Sequence, residues 1–159
     1  MGSTHALTGF VLWFSFEKAG LSAPLGIIAF VLGALLPDID HPNGTIRQLA
    51  ELPDFLARPV AEIIPHRGPT HTIWGAIGFS ILTIGLLLGS GIFAAIATGL
   101  ALFLGYVSHL VLDSLNPTGV DWLKPWTGVH LSWEIRTGST GERYFFYGLW
   151  GLLVLIAVL

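Results

Sequence analysis

His109 and Asp113 stand four residues apart in the stretch GYVSHLVLD, residues 105–113. On a helix that spacing puts an imidazole and a carboxylate on one face, where both can reach a single cation. The other ligand types fall in separate places along the chain. His5 lies near the start in THALTG, Asp38 and Asp40 are two apart in PDIDHP, and His66 and His71 bracket HRGPTH. Further on, HLSWE sets His130 and Glu134 four apart, a spacing that suits a second metal or an ordinary surface pair. There is no cysteine, which excludes disulfides, thiolate ligands and thiol nucleophiles. A metal must therefore be held by imidazole and carboxylate, which points to Zn²⁺ or Mn²⁺.

The elements that position these groups follow from composition. Of 159 residues, 53% are hydrophobic and 11% charged, whereas a soluble domain carries about 25% charged residues. We read one membrane-embedded domain over residues 1–159, an all-α bundle of about five apolar segments: 6–16, 22–36, 73–89, 92–112 and 144–159. Ser3 or Thr4 can cap the first, and Ser22 with Pro24 can open the second. These two fall short of the roughly 20 residues that a bilayer needs, so they are tilted spans or a hairpin that enters and returns. Short turns at 17–21 and 90–91 put the opposite ends, with His5, Asp38, His71, Asp113 and Glu142, on one face.

Between the second and third segments, charges at Arg47, Glu51, Asp54, Arg58 and Glu62 alternate with apolar residues at helical spacing. This describes an amphipathic helix in the membrane interface, broken or kinked at Pro53 and Pro59, either packed on the bundle or lying as a lid over the site. The loops of the site face hold Arg47, Arg58, Arg67, Lys124, Arg136 and Arg143, and those of the other face only Lys18. By the positive-inside rule the site faces the cytoplasm. No cleavable signal peptide is evident, since Glu17 and Lys18 follow the first apolar run. In the fourth segment Ala94, Thr98, Ala101 and Gly105 form a small-residue stripe that permits close helix approach and leads to His109.

Electrostatics favours a cation at this face. Asp38 and Asp113 come at helix C-termini, already the negative end of the dipole, with no Lys or Arg in those last turns. His5 and His71 come in first turns, where the neutral imidazole that binds metal is favoured. Each residue also has a plainer reading: an intrahelical hydrogen bond for His109 and Asp113, a frayed end for His5, turn formation for Asp38 and Asp40, solvent contact for His41 and His66. Ser139 and Glu142 form a capping box for the last segment, and Trp122, Trp126 and Trp133 suit the headgroup level. The net charge is -3 and no basic block marks nucleic acid as the main partner. HExxH and GxSxG are both absent, which argues against a zincin protease and a serine lipase.

Taken together, THALTG, LLPDIDHP, HRGPTHT and SHLVLDSLNPTGVDWLKPW followed by RTGSTGE resemble the YdjM-like family of LexA-binding, inner-membrane-associated, metal-dependent hydrolases. The resemblance covers nearly the whole chain and implies an inner-membrane hydrolase with a metal centre. More distantly, the order of carboxylate, histidine, HxxxD and HxxxE is similar to zinc-dependent phospholipase C and the P1-type nucleases. That similarity implies one metal on Asp38, His71, His109 and Asp113, with Asp113 reaching towards a second near His5, and His130 and Glu134 as the later pair. This chain lacks their additional histidine between the pairs, which leaves one or two metals in place of three, and those enzymes are soluble. The expected chemistry is phosphoester hydrolysis of a phospholipid or polyprenyl phosphate. In it Asp40, or else Asp38, orients or deprotonates water, and Arg67 holds a phosphate oxygen. A metal or ion transporter and a noncatalytic adaptor with a structural metal are the competing classes. The former needs ligands near mid-bilayer, the latter a saturated coordination shell.

Overall fold

The computed structural model describes residues 2–40 and 68–159. The expected amphipathic helix, His41, His66 and Arg67 lie outside the described residues, as does the side chain of Asp40. The described chain forms α1 (Gly2–Lys18), α2 (Gly26–Leu35), α3 (Ile73–Leu87), α4 (Ile92–Ser114) and α5 (Thr140–Val158). A small antiparallel hairpin, β1 (Val120–Asp121) with β2 (His130–Leu131), sits between α4 and α5. Helices dominate because apolar sequence in hydrocarbon must satisfy its own backbone hydrogen bonds, and helices do so within one segment.

Among the described residues, three stretches are long and apolar enough to cross a membrane by length and composition: Ile73–Ser90, Ile92–Ser114 and Thr140–Val158. At 23 residues, α4 is about 35 Å long. A shorter apolar stretch covers Gly26–Ile39. α4 packs against both α2 and α3, α1 packs against α2 and α4, and α5 touches α1. The α2–α4 crossing is close because glycine faces backbone from both sides. A Cβ on Gly33 would lie 2.2 Å from the Leu102 carbonyl oxygen, and one on Gly105 2.2 Å from that of Phe30. Of the anticipated stripe, Thr98, Ala101 and Gly105 are buried and Ala94 is partly so. The core gathers there, around Phe30, Leu102, Tyr106 and Leu110. Ile81, Leu86, Val154 and Val158 are instead exposed on α3 and α5, a surface suited to lipid rather than water.

Element starts differ from expectation in three places. α1 begins at Gly2, and Thr4, inside it, donates to Glu142 Oε1 at 2.9 Å instead of capping. α2 begins at Gly26 with no side-chain cap, because a turn closed by Gly26 N–H on the Ala23 carbonyl occupies the expected start. His71 precedes α3 instead of lying in its first turn. It ends a short 3-10 turn, Pro69–His71, and Thr72 caps α3 by accepting from Gly75 N–H. The last start is as read: Ser139 Oγ accepts from Glu142 N–H at 3.3 Å, and Glu142 reaches back to accept from Gly138 N–H at 2.6 Å.

Candidate metal centre

At one end of the bundle, four elements bring five ligand-type side chains together. α4 supplies His109 and Asp113 from one face of its last turns. α1 supplies His5, the 3-10 turn Leu36–Asp40 after α2 supplies Asp38, and the turn before α3 supplies His71. The three imidazoles are at most 1% exposed, while the Asp38 side chain is 18% exposed and forms the accessible edge.

Among the described residues, two trios hold one ligand atom per residue within 4.8 Å of one another: His5, His109 and Asp113, and Asp38, His71 and His109. Around the second, Asp38 Oδ1 lies 3.7 Å from both His71 Nε2 and His109 Nε2. Asp113 Oδ2 lies 3.8 Å from His71 Nε2 and 4.0 Å from His109 Nε2. The other Asp113 oxygen, Oδ1, faces His5 Nε2 at 3.4 Å. Neighbouring ligand atoms on a tetrahedral zinc stand about 3.4 Å apart, so these separations require only slight contraction around an ion. The His5 ring stacks on His109 with centroids 3.9 Å apart, and His71 meets His109 edge-on at 5.4 Å.

Backbone chemistry fixes which nitrogen of His109 can bind. Its Nδ1 lies 2.8 Å from the Ala34 carbonyl oxygen. That carbonyl, in the last turn of α2, can only accept. Nδ1 therefore carries the proton, and the neutral ring turns its lone pair, on Nε2, towards two carboxylates. Nε2 is buried without a hydrogen-bond partner among the described residues, and so is Nδ1 of His5. Buried lone pairs facing carboxylate oxygens repel unless a cation or proton lies between them. Neither α2 nor α4 has a basic residue in its last turn, so the helix dipoles add to the negative potential. The donor set fits a divalent cation.

His71 is held from behind. Thr70 Oγ1 lies 3.3 Å from His71 Nδ1, and Tyr106, fully buried on α4, donates its hydroxyl to the Thr70 carbonyl. Gly75 makes room, since a Cβ there would meet the Tyr106 oxygen at 2.8 Å. The sequence reading missed Tyr106, Thr70 and Ala34. Tyr106 had a signal: it lies three residues before His109 on the same helical face, and a buried tyrosine hydroxyl needs a partner.

The remaining site candidates stand apart. His130 Nδ1 bonds Asp121 Oδ1 at 2.8 Å, and Lys124 Nζ approaches the other oxygen of that carboxylate at 3.8 Å. The hairpin register places Asp121 opposite His130, so the cross-strand neighbour takes the imidazole that the HxxxE spacing had paired with Glu134. Glu134 is exposed, and neither residue belongs to a ligand trio among the described residues. Asp40 ends the turn that carries Asp38.

The sequence matches the family described as YdjM inner membrane protein over residues 1–159. The inner membrane protein YdjM of Escherichia coli (strain K12) is 35% identical over 95 residues, 60% of this chain and 46% of that protein. The protein of the same name in Shigella flexneri gives the same figures. YvsG of Bacillus subtilis (strain 168) is 27% identical over 150 residues, 94% of this chain and 85% of its own. The chain thus spans about half the length of the YdjM relatives it matches. No solved structure matches it. With residues 1–159 matched and the membrane-length helix α4 carrying His109 and Asp113 of the cluster, the chain belongs to the YdjM inner membrane protein family.

Proposed function

We propose that this chain is an inner-membrane, metal-dependent hydrolase that cleaves a phosphoester bond in a lipid phosphate, a phospholipid or a polyprenyl phosphate. The observation that carries the reading is the lone pair of His109 Nε2, aimed at Asp38 and Asp113 because Ala34 holds the proton on the far nitrogen. Asp38, His71, His109 and Asp113 would hold the ion, zinc or manganese, with His5 on the second oxygen of Asp113. Such an ion supplies Lewis acidity, polarising a phosphoryl oxygen and bringing the pKa of a coordinated water down to about 7.

The protein groups do the rest. Burial of the three imidazoles keeps bulk water from competing, and Asp38, at the accessible edge, faces incoming substrate. Asp40 is the candidate to orient or deprotonate the attacking water, and Arg67 to grip a phosphate oxygen by two parallel hydrogen bonds. The cluster lies where α4 ends and α5 begins, so a headgroup can enter while its tails stay in hydrocarbon. The excess of Lys and Arg in the loops on that side supports a cytoplasmic site.

The test is metal analysis of purified protein beside hydrolysis of lipid phosphates, repeated for His109→Ala and Asp113→Ala. Headgroup or phosphate release that both substitutions abolish supports the enzyme. A second reading, an ion that only braces the fold, is favoured by the burial of all three imidazoles, since structural sites are closed. It predicts stoichiometric metal, loss of stability on its removal and no turnover of any phosphoester.

A further inference from the structure

A groove of about 530 Å³ opens on the outer side of the turn that carries His71. Pro69, Thr72 and Trp74 form one wall, and Lys124, Pro125 and Trp126 the other. The walls are fixed to each other: Ile73 N–H donates to the Trp122 carbonyl at 3.0 Å. His71 points inward and does not line the groove, so this surface is distinct from the metal cluster.

Its chemistry is divided. Two indoles line it and remain 46% (Trp74) and 76% (Trp126) exposed, which leaves large aromatic faces uncovered. Below Trp74, one and two turns further along α3, Ile77 and Ile81 continue an exposed apolar track down a helix long enough to cross a membrane. At the upper end stands a cation. Asp121 gives its shorter contact, 2.8 Å, to His130, and Lys124 stands 3.8 Å away with its side chain 64% exposed. An ammonium has three donors, so Lys124 keeps donors for another anion. Tryptophan with a basic residue at the end of a span is the combination that holds a lipid at the headgroup level.

We propose that this groove seats an anionic phospholipid of the bilayer, its acyl chain along Trp74, Ile77 and Ile81 and its phosphate against Lys124. The seat requires neither the metal nor hydrolysis. It is tested on the full chain in zwitterionic nanodiscs with chelator present, by following tryptophan fluorescence. Brominated phosphatidylglycerol and brominated phosphatidylcholine are exchanged in at equal mole fraction. We expect at least twofold stronger quenching by the anionic lipid. Lys124→Gln, an exposed position that leaves the fold intact, removes that preference, and Trp74→Phe with Trp126→Phe removes most of the quenching difference.

Equal quenching by the two lipids overturns the seat, as does a preference that survives Lys124→Gln. An equal loss in Arg136→Gln, an exposed cation away from the groove, assigns the preference to general surface charge and also overturns it. Because no turnover is involved, a lipid preference without hydrolysis keeps the seat and removes the hydrolase, and hydrolysis without a preference does the reverse.

Discussion

At His109 the chemistry turns on the position of one proton. Donation to Ala34 leaves Nε2 as the only nitrogen able to face Asp38 and Asp113, so His109→Ala removes the atom common to both ligand trios. Bound zinc in purified protein is expected to fall at least tenfold in this variant, read by mass spectrometry of the metal. Tyr106 acts one step further back, through the carbonyl of Thr70 and the turn that presents His71. Groups that orient metal ligands are typically worth about 10–100-fold in affinity. Tyr106→Phe should therefore weaken zinc binding about tenfold while circular dichroism and expression stay at wild-type level. The pairing of His109 with Asp113 was legible in the sequence, because helical periodicity puts them on one face. The atoms that orient them were not. A backbone carbonyl 75 residues away carries no sequence signature, and the partner of His130 was set by a cross-strand register that i to i+4 spacing cannot express.

The elements were largely readable, since apolar runs bounded by Ser90 and Gly91, or opened by Ser139 and Glu142, have few folded alternatives. Gly91 adopts φ 104°, a conformation that glycine takes without strain, and the α3–α4 turn falls there as expected. Starts were harder to place. Ser22 and Pro24 look like a helix opening, yet the turn at Ala23 delays α2 to Gly26. The α2–α4 crossing gives the sharpest test at this scale. Gly105→Ala must push the helices apart and should cost about 1–3 kcal/mol, typical of overpacking. Thermal unfolding in detergent measures it, and metal affinity should fall with it because Ala34 and His109 lie on the two helices that separate. Gly78 on α3 has nothing within 4 Å of an added Cβ. Gly78→Ala should be neutral or stabilise by up to about 1 kcal/mol, as expected for alanine over glycine in a helix.

For the whole molecule, the orientation in the membrane and the link between metal and stability are open to direct measurement. The absence of cysteine makes labelling clean. The proposed cytoplasmic orientation of the cluster predicts that Ser90→Cys reacts with an impermeant maleimide in intact spheroplasts, and Thr137→Cys only after lysis. An ion held by four separate elements also ties those elements together. Chelation should lower the unfolding temperature, and zinc restored to a hundred times its dissociation constant should return about 2.7 kcal/mol if it binds only the folded state. Fold class and the end of the bundle that carries the cluster were readable from composition and loop parity. Sequence spacing left the closeness of His5 to His109 unmarked, since it comes from α1 docking beside α4.

The hydrogen bond from His109 to Ala34 also limits stoichiometry. An imidazole with one nitrogen protonated and engaged has a single coordinate bond to offer, so an ion drawn towards His5 and an ion drawn towards His71 cannot both be bonded to it. The two trios are mutually exclusive ways of using the same ring, and among the described residues of the cluster a second ion beside the first would be left with His5 and Oδ1 of Asp113.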